Sequence, residues 1–119
     1  MIEINVNTAR FKLTVKGHAT QEESSQYREI CAAASALAQA LMYSISKIPG
    51  DAMKSVEYRP DVGDLLIRVY PEEWAELGAK NRFKTYADGM ELLARSHPYS
   101  VTMIRDGERI LPEKEVQAQ

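Results

Sequence analysis

The chain has 119 residues, 45% of them hydrophobic and 27% charged, which is the balance of a single folded domain rather than a disordered segment. Its 15 basic and 17 acidic residues are interspersed, and the net charge of −2 leaves no basic stripe along the sequence to attract nucleic acid. The lone cysteine, Cys31, excludes an internal disulfide and a metal site built from several cysteines.

The first two elements are predicted to be short strands. Apolar and polar residues alternate over residues 2–7 and again over residues 11–15, which is the period of a strand with one buried face. The short polar connection between the two runs predicts a hairpin. Gly17 ends the second strand, and His18 follows at its exit.

A helix is predicted next, because apolar residues recur at three- and four-residue spacing: Ile30, Ala34, Leu37, Leu41, Ile45 and Ile48. Pro49-Gly50-Asp51 ends it. Its start has two interpretations. A start within residues 25–28 is favoured and places Cys31 near the helix N-terminus. The alternative is Thr20-Gln21-Glu22-Glu23, which fits a capping box and would place Cys31 three turns inside the helix.

The second half of the chain repeats this order. Residues 53–59 and 64–70 form a hairpin candidate around Pro60–Asp64. Pro71 and two glutamates are predicted to open a second helix, whose apolar stripe is Phe83, Tyr86, Met90 and Leu93. The helix is predicted to end at His97, because a residue before proline avoids the helical conformation.

A last strand is predicted over residues 99–104, followed by a charged segment without a pattern. The predicted order is β-β-α-β-β-α-β. The expected fold class is therefore α+β, a mostly antiparallel sheet with two helices packed on one face. We expect one domain over residues 1–106 and a flexible charged tail over residues 107–119.

The chain is expected to be soluble and cytoplasmic, without a membrane partner. Met1 leads directly into a strand pattern rather than a secretory signal. The longest apolar stretch, around residues 30–42, is shorter than the roughly 20 residues that span a bilayer. The sequence also contains no nucleotide-binding, zinc-hydrolase or serine-hydrolase motif. We therefore expect no cofactor and no metal site.

Cys31 and His18 are the candidate catalytic residues that remain. An imidazole can accept the proton of a thiol and later return it to a leaving amine. A cysteine in the first turn of a helix is favoured as a thiolate by the helix dipole and the free N–H groups, which can also face an oxyanion. The alternative is a packed core thiol, since free cysteines are often buried.

Two segments carry a resemblance to a known family. The first is Val15-Lys16-Gly17-His18-Ala19 followed by Ile30-Cys31-Ala32-Ala33-Ala34-Ser35-Ala36-Leu37. The second runs from Gly89 to Pro98, before Tyr99-Ser100-Val101. From residue 1 to about residue 105, the chain resembles the ribosomal-processing cysteine protease (Prp) family.

This resemblance implies a homodimeric cysteine endopeptidase, with Cys31 as nucleophile and His18 as general base and acid. Its expected partner is a protein or peptide, namely the N-terminal extension of a large-subunit ribosomal protein. Direct nucleic-acid binding is not expected. From its position one turn after Cys31, and independently of the resemblance, Ser35 is a possible supporting residue that bonds near the thiol. The equal alternative is that its hydroxyl bonds back to a helix carbonyl.

Three features differ from the family pattern. Arg28 stands where the family has an aspartate, residues 20–28 contain no glycine, and the spacing from His18 to Cys31 is one position longer. Arg28 is a possible supporting residue that favours a thiolate by its charge, and Glu29 one that orients His18. Both have the alternative interpretation of solvated helix-start residues. These differences suit a divergent, prophage-type member that acts on a phage structural protein, and they keep open a catalytically silent peptide- or protein-binding module. A structural assembly protein is a third possibility, with which the near-neutral charge and exposed sheet edges are compatible.

Overall fold

The computed structural model describes residues 1–17, 25–61 and 63–112. The strands are β1 (Ile2–Asn7), β2 (Lys12–Lys16), β3 (Met53–Asp61), β4 (Asp64–Pro71), β5 (Val101–Arg105) and β6 (Glu108–Arg109). The helices are α1 (Ser25–Ser46) and α2 (Glu76–Ser96), the latter preceded by a 3-10 turn at Glu73–Ala75. The predicted α+β class and order of elements are confirmed, with the 3-10 turn and β6 added.

In the described part of the chain the strands form one sheet, in the order β3-β4-β2-β1-β5-β6. The neighbours β1 and β5 are parallel, whereas the four other pairings are antiparallel. The sheet is therefore mostly antiparallel, as predicted. The parallel pair arises because the chain crosses from one half of the sheet to the other through α2.

Both helices pack on one face of this sheet. The strands bury alternate side chains, which are Ile2, Ile4, Val6, Leu13, Val15, Leu65, Ile67, Val69, Val101 and Met103. The helices bury one stripe each, formed by Tyr27, Ile30, Ala34, Ala38, Leu41 and Ile45 on α1 and by Ala79, Phe83, Ala87, Met90 and Ala94 on α2. These residues, apart from Ala79, form one core. The opposite face of the sheet carries mostly polar residues, together with Leu66 and Ile104.

The two helices are antiparallel neighbours. A Cβ added to Gly89 would lie 3.0 Å from Leu37, so the glycine lets α2 approach α1 closely. Further along, the Arg82 Nε–H donates to the Ser44 carbonyl at 2.9 Å. The C-terminal half of α2 therefore lies beside the N-terminal half of α1, at the end of the molecule that holds Cys31.

Three local predictions differ from the structure. Pro71 is the buried last residue of β4 rather than the first residue of a helix. The last long strand begins at Val101 rather than at residue 99, and Tyr99 is 94% exposed. The sheet continues past Asp106, because β6 pairs with β5. The domain and tail bounds stay a prediction, and residues 113–119 lie outside the described residues.

Neither helix in the described ranges has the length and apolar character that crossing a membrane requires.

Candidate active site around Cys31

Cys31 faces a small cleft at one end of the sheet. Its described lining comes from β1, the exit of β2, α1 and the β3–β4 hairpin, and consists of Ile2, Val15, Gly17, Cys31, Ala34, Ser35, Asp61, Gly63 and Leu65. The cleft volume is about 20 Å³, which is close to the space that one water molecule needs. Cys31 is a free, partly exposed cysteine packed against the edge of the core.

Gly17 fixes the backbone at the entrance to this cleft. Its φ is +94°, and a Cβ at this position would lie 2.0 Å from the Met1 carbonyl oxygen, so a side chain does not fit. The Gly17 N–H donates to the Gly63 carbonyl at 3.0 Å. The exit of β2 is therefore held between the start of β1 and the β3–β4 hairpin, directly before position 18.

His18 lies outside the described residues, and so does the capping-box segment of residues 20–23. The structure describes α1 from Ser25 onward, so the choice between the two predicted helix starts stays a prediction. The backbone position of Gly17 is the nearest described point of the chain to the predicted general base.

Cys31 does not lie in the first turn of α1, contrary to the geometry predicted from the sequence. It is the seventh residue of the helix counted from Ser25, which places it in the second turn. Its N–H takes part in the helical hydrogen-bond ladder, because only the first four N–H groups of a helix are free. The effect of the helix dipole also falls off within the first turn. Another arrangement must therefore supply any thiolate or oxyanion stabilisation.

The possible supporting residues divide into two groups. Ser35 is half-buried and lines the cleft together with Cys31, one helical turn away. Arg28 and Glu29 are exposed on α1 and are not among the described lining residues. Their side chains fit the solvated interpretation, and the catalytic roles suggested for them stay predictions.

Sequence reasoning missed the contribution of the β3–β4 hairpin. Asp61 is the acidic side chain among the described lining of the Cys31 cleft, and Gly63 provides the carbonyl that holds Gly17. The turn itself was predicted from the Pro60–Asp64 composition. Its position beside α1 depends on the β2–β4 pairing, which joins Lys16 to Asp64. No local signal in the sequence specifies that pairing.

His97 has the structural role that its place before proline predicts. It is the C-cap residue of α2, and its N–H donates to the Leu93 carbonyl at 3.0 Å. Its carbonyl accepts hydrogen bonds from the N–H groups of Ser100 and Val101 at 3.0 and 2.9 Å. The residue therefore connects α2 to β5.

The sheet, its two helices and the single thiol in an end cleft define a small α+β domain of the kind seen in several solved proteins. An S. aureus structure described as an essential ribosomal processing protease Prp in complex with a substrate peptide aligns with TM-score 0.63 and 18% identity, over 87% of this chain and 96% of that chain. A second structure of that protease, with a covalently linked product peptide, gives 0.62 and 17% over the same shares.

The Streptococcus mutans protein SMU.848 aligns with TM-score 0.64 and 19% identity, over 87% of this chain and 90% of that chain. These identities show a shared fold. No curated protein sequence matches the chain. The family model described as Cysteine protease Prp matches residues 1–102. The chain belongs to this cysteine protease family.

Proposed function

We propose that the chain is a cysteine endopeptidase in which Cys31 is the nucleophile and His18 the general base and acid. The observation that carries this proposal is the match to a cysteine protease family in a chain with one cysteine. If the family's chemistry is retained, that thiol must perform it. Its partial exposure in a cleft fits a reactive thiol better than a structural one.

The proposed reaction has two stages. His18 takes the thiol proton, the Cys31 sulfur attacks the scissile carbonyl, and the imidazolium returns the proton to the leaving amine. Water then hydrolyses the resulting thioester and releases the acid product. Gly17 supports the geometry, because it fixes the chain one residue before the imidazole. Ser35 lies where its hydroxyl can solvate the sulfur or the oxyanion.

The proposed substrate is the N-terminal extension of a large-subunit ribosomal protein or of a phage structural protein, cleaved in the cytoplasm. The neighbouring S. aureus protein is described as a ribosomal processing protease with a substrate peptide, which supports a peptide substrate for this chain. A ribosomal or capsid gene beside the one for this chain would indicate which extension to test first.

The test is cleavage of purified candidate proteins, followed by mass spectrometry of the products. Cys31→Ala and His18→Ala are each expected to abolish cleavage, because each removes one half of the proton-transfer pair. Gln39→Ala is the control at an exposed position of α1 with no proposed role, and it should cleave at the wild-type rate. Cleavage by Cys31→Ala would contradict the proposal.

A second candidate function is a catalytically silent module that grips a peptide or protein. The small volume of the described cleft and the position of Cys31 in the second turn of α1 favour it. Iodoacetamide labelling of the native protein separates the two candidates. A reactive thiol is labelled near neutral pH, whereas an inert core thiol is labelled only after unfolding. Recovery of an intact, uncut partner by affinity capture would also favour the binding module.

We also propose that the chain forms a homodimer. Large apolar side chains remain exposed on the helical side, including Leu92 at 66%, Leu77 at 70% and Trp74 at 63%. Such residues are common at interfaces between subunits. Sedimentation equilibrium at micromolar concentration tests this proposal, and a monomer at all accessible concentrations would contradict it.

A further inference from the structure

The face of the sheet opposite the helices carries a cluster of positive charge that is dispersed in the sequence. We define the basic sheet patch as Asn5, Asn7, Arg10, Lys12, Thr14, Lys16 and Arg68. All except Arg68 line one open cleft of about 310 Å³. Arg68 is the direct neighbour of Lys12, because the two residues are paired in the β2–β4 register.

The position of these residues follows from strand alternation. In β1 and β2 the patch residues alternate with the buried Ile4, Val6, Leu13 and Val15, so they point away from the helices. Neither helix in the described ranges covers this side. The sequence shows no basic stripe because the cations come from the β1–β2 turn, β2 and β4, and only the antiparallel pairing brings them together.

Two features of the patch are unfavourable for folding alone. Lys12 and Arg68 lie directly opposite each other, and like charges in opposed positions repel. The Arg68 Nε is also buried without a hydrogen-bond partner within the described residues, although the guanidinium lies over the Tyr70 ring at 5.0 Å. A bound anion would offset the repulsion, because it attracts both cations.

Acidic residues lie at the borders of the patch and do not neutralise its centre. Lys16 is paired with Glu3 on one side and with Asp64 on the other. Glu57 is opposite Arg68 in β3, and its carboxylate accepts a hydrogen bond from the Tyr70 hydroxyl at 3.3 Å. The neighbours of Lys12 are Asn7 and Arg68, so the positive charge is strongest there.

We propose that the basic sheet patch binds the phosphate backbone of a single-stranded nucleic acid. Protein interfaces have an apolar centre, whereas nucleic-acid interfaces are more polar and more positive. This patch consists of amides, a hydroxyl and cations, and Leu66 and Ile104 lie beside it. A second open cleft, of about 470 Å³, shares Asn5, Thr14 and Lys16 with it, is also lined by Glu3, and reaches Arg109 on β6. A flexible chain of phosphates can follow the two clefts across the strands.

The test is fluorescence anisotropy with labelled oligouridine, using the full chain. Binding is expected at about 50 mM salt and should weaken roughly twentyfold at about 200 mM, because about three neutralised phosphates give a slope near −2 for single strands. No binding at the lower salt concentration would overturn the proposal. Comparison with oligodeoxythymidine identifies the source of the phosphates, since tighter oligouridine binding means RNA and equal binding means recognition of the backbone alone.

Charge reversal locates the site. The double variant Lys12→Glu/Arg68→Glu is expected to bind at least roughly tenfold more weakly, with the salt slope reduced by about one or more. The matched control, Lys47→Glu/Lys84→Glu, makes the same change in net charge at exposed positions on the helical side and should bind as the wild type does. Equal weakening of binding by the two double variants would overturn the proposal. Polyglutamate that competes as effectively as unlabelled oligouridine would also overturn it, because this result would indicate an acidic protein partner.

Because opposed glutamates also repel, the neutral pair Lys12→Gln/Arg68→Gln provides a second measurement. It removes the repulsion and the partnerless Nε, so its thermal midpoint is expected to equal or exceed that of the wild type while binding falls. Wild-type affinity in this folded variant would overturn the proposal.

Discussion

At the scale of single residues, the backbone conformation of Gly17 positions the chain at the edge of the candidate site. Gly17 and Gly107 both have a positive φ, of +94° and +85°. They differ in surroundings, because a Cβ at Gly17 meets the Met1 carbonyl while a Cβ at Gly107 meets nothing within 4 Å. Comparing the same substitution at these two glycines therefore separates the cost of backbone strain from the cost of steric conflict.

Gly17→Ala is expected to lower the free energy of unfolding by about 2 kcal/mol or more, because strain and steric conflict add. Chemical denaturation measures this change. The site should also lose activity in the variant that remains folded, since the chain before His18 must shift. Gly107→Ala is the control and should lose only about 1 kcal/mol from its strained φ. Equal losses in the two variants would mean that the Met1 contact is unimportant.

At the scale of elements, Arg105 joins β5 to α2. Its guanidinium donates to Asp88 at 2.7 Å, to Glu91 at 3.2 Å and to the Lys84 carbonyl at 3.3 Å. Burial of the side chain opposes the charged form and would lower its pKa, but the hydrogen bond to Asp88 and the attraction of Asp88 and Glu91 prevail and raise the pKa. This interaction holds the end of the parallel β1–β5 pair against the helical layer.

Arg105→Met is expected to lower the free energy of unfolding by about 1–2 kcal/mol, because the charged hydrogen bonds are lost while most of the packing is kept. Since the pKa is raised in the folded state, the stabilisation is fully present below the ordinary arginine value and is lost only as the pH rises through the folded value. The difference in thermal midpoint between variant and wild type should thus be constant through the mildly alkaline range.

Arg59→Met is the control for this measurement. Its ion pair with Asp64 spans 3.7 Å between side chains that are 51% and 58% exposed, so its removal should change stability by less than about 1 kcal/mol. A loss of stability as large as that of Arg105→Met would show that removing a surface charge, rather than losing the hydrogen bonds between β5 and α2, determines the result.

The elements that the sequence predicts well are those with a local signal. The alternation in β1 and the stripe of Phe83 and Met90 in α2 each arise from burial on one face, so period alone identifies them. Pro71 was misassigned because proline suits both a first helical turn and the end of a strand. The β1–β5 pairing and the placement of Asp61 beside Cys31 depend on contacts between distant segments, which periodicity does not encode.

At the scale of the whole molecule, the candidate active site and the basic sheet patch are on different sides of one sheet. Cys31 belongs to α1 on the covered side, at the end where Met1, Gly17 and the β3–β4 hairpin meet. Lys12 and Arg68 point from the uncovered side. Charge on one side is largely screened from the other, because the Debye length is about 8 Å at physiological salt. The two proposed activities should therefore be separable.

The expected result is a double dissociation. Cys31→Ala should abolish cleavage and leave oligouridine affinity within about twofold of the wild type. Lys12→Gln/Arg68→Gln should weaken oligouridine binding and leave the rate of peptide cleavage within about twofold of the wild type. We expect this separation because the effects of substitutions add when their sites share no partners. Both activities are measured on the same preparations, after circular dichroism has shown equal folding. The opposite result is that each folded variant loses both cleavage and oligouridine binding. In that case the sheet would be transmitting binding at one site to the other, and the two sites would form one coupled unit.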